Sequence, residues 1–153
     1  MALPAAYQAL GRTLQQGLVA AGVLANPSAF VLDPSVPLEP AEGSPTLIAA
    51  AGLVGLETSA EARFIGSPRR YQVERQARLE LAVAGPDPAA RAAVVARALT
   101  ALARIPEVDP TLNGLCERLE VLALEDEDWP PDGQKILITF LLRVRSADAL
   151  GMT

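Results

Sequence analysis

A chain of 153 residues has the length of one domain, and with half its residues apolar and a fifth charged it encodes a folded core. Thirteen basic against 18 acidic residues leave a net charge of −5, which argues against a dedicated nucleic-acid binder with a basic face. Histidine is absent and Cys116 is the single cysteine, which excludes His-based triads, imidazole metal ligands, an internal disulfide and a thiolate zinc cluster.

Leu3, Tyr7, Leu10, Leu14 and Leu18 recur at spacings of three and four, the stripe of an amphipathic helix over about 4–21. Gln8, Arg12, Gln15 and Gln16 occupy its wet side, and Gly22 and Pro27 supply the stop signals. Met1-Ala2-Leu3-Pro4 lacks the positive start of a secretory signal. The charge-free stretch 13–32 is interrupted by Gln15, Gln16, Asn26, Pro27 and Ser28, so no membrane span is expected. The chain reads as cytosolic and soluble.

Pro34, Pro37, Pro40 and Pro45 make 33–45 an extended surface loop, because proline breaks helices and cannot donate to a sheet ladder. The apolar run 46–56 is open between helix and strand by periodicity; Gly52 and Gly55 favour one or two strands joined by a bend. Residues 57–70 are polar, with a Gly66-Ser67-Pro68 turn cluster, and are expected to project. From Tyr71 the period becomes two. Val73, Ala77, Leu79, Leu81 and Val83 alternate with Gln72, Glu74, Gln76, Arg78 and Glu80, predicting an antiparallel strand over 70–84 with one wet face.

Asp87 then suits a helix N-cap and Pro88 the first helical position. Val94, Val95, Ala98, Leu99 and Leu102 form the core stripe, Arg91 and Arg97 lie outside it, and Pro106 closes the helix near 104. Asp109 and Pro110 predict the start of a second, short helix ended by Gly114. Cys116, between Leu115 and Leu119, is expected as a buried small hydrophobe rather than a nucleophile. Two last strands, around 119–124 and 136–145, form a hairpin with the acidic loop 125–133 at its tip, and 147–153 is a frayed tail. The expected fold is therefore one α+β domain over 1–153, with a mostly antiparallel sheet of four to five strands. The N-terminal and central helices pack on one face of it.

Glu125, Asp126, Glu127 and Asp128 could offer oxygen ligands to a cation, but they lack the alternate-position acids and central glycine of a calcium loop. A solvated hairpin tip is the expectation. Trp129 beside them is either a docking anchor or a cap on the sheet. Arg63, Arg69 and Arg70 could bind phosphate; without a Gly-rich phosphate loop they read as a partner-facing or solvated surface. No catalytic residue, cofactor or metal ligand is assigned.

Several of these pieces recur together: the strand from Arg69-Arg70-Tyr71 to Leu79-Glu80-Leu81-Ala82-Val83, the Asp87-capped helix, and Asp109-Pro110-Thr111-Leu112-Asn113-Gly114-Leu115. The acidic hairpin and the ending Ser146-Ala147-Asp148-Ala149-Leu150-Gly151 complete the set. As a set they resemble the tail terminator (tail completion) proteins of long-tailed bacteriophages and phage-like gene transfer agents. The resemblance covers about 69–151; the first half agrees mainly in its N-terminal helix. It implies a structural virion subunit, assembled in the bacterial host cytoplasm, that forms a homo-hexameric ring on the last disc of the tail tube. Such a ring halts tube polymerisation and offers a joining surface to the head connector at the head–tail interface. The implied partners are other copies of the chain, the tail tube protein and the connector (stopper) protein, with DNA passing through the lumen without specific binding. The net charge of −5 suits that passage, because neutralisation of phosphates by Lys and Arg is what creates affinity for DNA.

Charge opposition nominates Arg63, Arg69 and Arg70 as one contact patch and Glu125, Asp126, Glu127, Asp128 and Trp129 as the other. Two other classes compete. A dimeric scaffold or adaptor domain pairing through free strand edges shares every sequence feature. A small acyl- or group-transferase lacks its histidine base, activated cysteine or phosphate loop here.

Overall fold

The computed structural model describes residues 5–24, 27–34, 38, 48–56, 63–65, 70–85, 87–129 and 133–146. Helix α1 (Ala5–Ala20) buries Tyr7, Leu10, Leu14 and Leu18, the predicted stripe. Gly22 ends it with a left-handed φ of 68°. There the Gly22 N–H donates to the Val19 carbonyl and the Val23 N–H to that of Leu18, pairing carbonyls that a helix end otherwise leaves open.

A short 3-10 turn (Pro27–Ala29) leads into β1 (Phe30–Leu32), which the sequence did not announce. β1 runs parallel to β2 (Ile48–Leu56). Over 48–56 the run is one strand, with a register irregularity between Ile48 and Ala50; 46 and 47 fall outside the described residues. Its glycines answer a different need, close approach. A Cβ on Gly55 would lie 2.8 Å from Tyr7 Cε2, and one on Gly52 would lie 2.9 Å from Leu38 Cδ1 and 3.1 Å from Pro34 Cγ. Pro34 and Leu38 of the predicted proline loop therefore lie against the sheet; 35–37 and 39–45 fall outside the described residues.

Part of the predicted projecting segment 57–70 is strand. Arg63–Ile65 forms β3, paired antiparallel with the start of β4 (Arg70–Ala84), while 57–62 and 66–69 fall outside the described residues. β4 has the predicted bounds. Ala77, Leu79, Leu81 and Val83 are buried on the helix side, as the alternation requires. Its other face is drier than expected, since Glu80 is 9% exposed. Glu80 sits opposite Gly52, over which Pro34 and Leu38 pack, and its carboxylate is held 3.1 Å from Arg78.

Helix α2 (Pro88–Ala103) starts as predicted: the Asp87 side chain accepts from the Ala89 N–H at 3.0 Å and Pro88 opens the first turn. Val94, Val95, Ala98 and Leu102 are buried. Arg91, expected outside, is half-buried and donates to the Gly85 carbonyl and the Gln134 side chain. Beyond it the short helix lies earlier than predicted. α2 ends at Ala103, close to the predicted stop near 104, and Pro106 then sits in the first turn of α3 (Ile105–Val108). Residues 110–115 form turns instead, with positive φ at Leu112 (48°), Asn113 (59°) and Gly114 (86°). Three consecutive left-handed residues cannot continue a right-handed helix. Asp109 Oδ1 accepts from the Asn113 N–H and so braces the turn.

The last correction concerns the hairpin. β5 runs Arg118–Trp129 and β6 Gly133–Ser146, so Glu125–Asp128 are strand residues and not a tip loop. Pairing with β6 satisfies the backbone groups that point inward, and a strand exposed on both faces leaves their carboxylates in water. Residues 130–132, and the predicted tail 147–153, fall outside the described residues.

The six strands form one sheet in the order β1-β2-β4-β6-β5, with β3 beside β4 beyond the end of β2. Only β1–β2 is parallel among the strand pairs, so the α+β, mostly antiparallel architecture holds. α1 and α2 share one face. Their stripes join Leu53, Leu79, Leu81, Ile138, Phe140 and Leu142 in a single core, with Leu79 opposite both Leu53 and Ile138.

Candidate assembly interface

The fourteen-pair β4–β6 ladder separates the two predicted charge patches. At one end Arg63 lies opposite Gln72, which lies opposite Arg145; Arg70 faces Ile65, and Arg69 is outside the described residues. At the other end Asp128 lies opposite Gln134, which lies opposite Val83, and Trp129 faces Gly133. Gln72 and Val83 are eleven residues apart on one strand, or ~36 Å at about 3.3 Å per residue. Within one chain the strand positions of Arg63 and Arg70 therefore lie at the opposite end of the ladder from the acids.

The four acids do not converge either. Successive strand residues point to opposite faces, so Glu125 and Glu127 share one side with Leu137 and Lys135, and Asp126 and Asp128 the other with Ile136 and Gln134. The Gln134 amide donates to Asp126 Oδ1 at 3.3 Å. Among the described residues no three acidic or cysteine side chains group as metal ligands, and no helix is long and apolar enough to cross a membrane.

β5 is an edge strand, and 121–128 are exposed on both faces. The helix layer leaves Val121 47%, Leu122 48% and Leu124 56% exposed. Leu122 is the extra residue of a bulge, because Val121 and Ala123 pair with the consecutive Phe140 and Thr139. An edge with bare backbone groups and exposed leucines is a surface for pairing or packing.

A second feature lies between the helices. Gly17, Ala20 and Ala21 at the end of α1, with Ala96, Thr100 and Ala101 of α2, line a groove of about 540 Å³ bordered by Arg97 and Arg104. Arg97 Nη2 donates to the Ala21 and Gly22 carbonyls at 2.9 and 3.3 Å, which fixes the guanidinium at the α1 end. This groove is faint in the sequence. Its signature is small residues at helical spacing on both helices, with two arginines seven apart and hence on one face of α2.

The nucleophile inventory stays short. Cys116 is buried, 6% exposed, and burial pushes its thiol up to about 11, so it is the inert hydrophobe expected. The Tyr7 hydroxyl donates to the Gln76 carbonyl at 2.8 Å. Burial raises its pKa, and the neighbouring Arg75 guanidinium opposes the rise.

No family model matches the chain, and no curated protein matches it. Among solved structures, a chain in the virion of a native gene transfer agent particle is similar to it at 15% identity, over 90% of this chain and 95% of that one, with a TM-score of 0.46.

Proposed function

We propose that this chain is a structural, non-catalytic protein of a phage-like virion. As a tail terminator it closes the end of the tail tube as a ring, stops tube growth and joins the tube to the head connector. The observation that carries the reading is β5, a twelve-residue edge strand whose leucines and acids are exposed on both faces and whose register is fixed by β6. A folded domain that holds such a strand rigid and bare presents it to a partner chain.

The sequence resemblance over 69–151 supplies the kind of partner. The two charged ends of the ladder supply the symmetry. Patches that differ, and that lie ~36 Å apart along the strands, suit a head-to-tail contact, which closes into a ring when the rotation between neighbours divides a full turn. In this reading Glu125–Asp128 and Trp129 form one contact, and Arg63, Arg69 and Arg70 another, toward a neighbouring copy, the tube or the connector.

The test is the native mass of the purified chain by light scattering on a sizing column, with negative-stain imaging. The chain is then added to polymerising tail-tube subunits. The reading expects a ring with an open centre, alone or on the tube, and tubes of capped length. A defined dimer that leaves tube length unchanged overturns it and favours the adaptor alternative.

A further inference from the structure

Two surfaces carry charges that make no ion pair among the described residues. Arg78, Arg118 and Arg143 each hold a carboxylate, at 3.1, 2.6 and 2.9 Å. Arg97 and Arg104 make no ion pair with a described residue, and no acidic side chain lines the groove they border. On β5, Glu125, Asp126, Glu127 and Asp128 likewise make no ion pair with a described residue. The opposition is specific in shape as well as sign. The groove has a floor of small residues and a guanidinium border, while β5 presents exposed Leu122 and Leu124 followed directly by the acids.

A chain cannot satisfy itself in this way. β5 is held in the sheet by eleven register pairs with β6 and cannot swing across to its own helix layer. A second copy carries a surface of the complementary charge and shape.

We infer that the Leu122–Asp128 segment of one copy seats in the α1–α2 groove of the next. Leu122 and Leu124 lie over Gly17, Ala20, Ala21 and Ala101, and the carboxylates of Asp126 and Asp128, on the same strand face as Leu124, pair with Arg97 and Arg104. Arginine suits this role because its planar fork binds a carboxylate through two hydrogen bonds. The contact joins two different surfaces, so repetition propagates head to tail, and in the ring reading the rotation between neighbours closes it. The inference rests on the ring reading above and adds its receptor surface. It leaves Arg63, Arg69 and Arg70 for the tube or the connector.

The test uses the full chain with Thr100→Cys and Asp126→Cys together, oxidised with copper-phenanthroline and run on non-reducing denaturing gels. A ladder of covalent multimers is expected from the double variant and none beyond a dimer from either single variant. In parallel, Arg97→Glu with Arg104→Glu is expected to weaken self-association at least tenfold at low salt, and Asp126→Arg with Asp128→Arg in the same chain to restore it. Should the charge-reversed pair fail to fold by circular dichroism, the cysteine pair still decides, because it leaves the Arg97 hydrogen bonds intact. Light scattering of the unaltered chain, alone and with tail-tube subunits, separates the two ideas. An unaltered chain that assembles while the double-cysteine variant gives no ladder overturns the groove and leaves the ring reading standing. An unaltered chain that stays monomeric and leaves tubes uncapped overturns both.

Discussion

Gly55→Ala is a sharp probe of how α1 sits on the sheet. Gly55 has an ordinary extended backbone, so alanine alone would stabilise the protein by ~0.4–1 kcal/mol through the unfolded chain. Against this, the new Cβ would lie 2.8 Å from Tyr7 Cε2 and 3.4 Å from Cδ2, and the ring is pinned by the core and by its hydroxyl bond to the Gln76 carbonyl. Displacing a packed ring costs ~1–3 kcal/mol, and stretching the hydrogen bond another ~0.5–1.5 kcal/mol. The expected net loss is about 1–3 kcal/mol, measured by urea unfolding followed by far-UV circular dichroism with the m-value unchanged. In a Tyr7→Leu background the clashing atom is gone, and Gly55→Ala should become neutral or stabilising. The difference is a coupling energy between the two sites. A Gly55→Ala variant as stable as its parent, or a loss that persists in the Tyr7→Leu background, would refute the idea that the glycine exists to admit the ring.

Three further expectations concern separate parts of the molecule. Asp87→Ala removes the cap on the Ala89 N–H and should cost ~1 kcal/mol, most of it recovered by Asp87→Ser, both read from urea midpoints. The Cys116 thiol is raised from 9.0 to about 11 in the folded protein, so its contribution is complete below pH 9 and is lost as pH rises to about 11. The stability difference between the parent and Cys116→Ala should shrink over that window, and a constant difference would count against the burial argument. Leu122→Lys with Leu124→Lys alters side chains that are about half exposed, so the urea midpoint should move by no more than ~0.5 kcal/mol while assembly, read by light scattering, is lost.

Legibility in the sequence followed the range of the interactions. α1, β4 and the Asp87-capped start of α2 rest on local period and capping, and the chain declares them within a turn or two of their own residues. β5 does not. Four consecutive acids read as a loop until β6 is placed beside them, because only the cross-strand ladder, not their own propensity, holds them extended. β1 and β3 are three residues each and exist only as partners of β2 and β4. The turn at Leu112 was hidden because a leucine in the left-handed region has no signature, while Asp109 and Pro110 advertise a helix start. For the interface, sequence charge named the acids and arginines but not their separation. Arg97 and Arg104 gain meaning only once α1 lies beside α2.

The β4–β6 ladder has a mechanical consequence. With one patch at each end, a force passed between them runs parallel to the strands and strains all fourteen pairs together. A sheet stressed in shear yields only when many hydrogen bonds fail at once, whereas one pulled across its strands unzips pair by pair. The domain is thus stiffer along its strands than across them, where β1 adds only a three-residue edge.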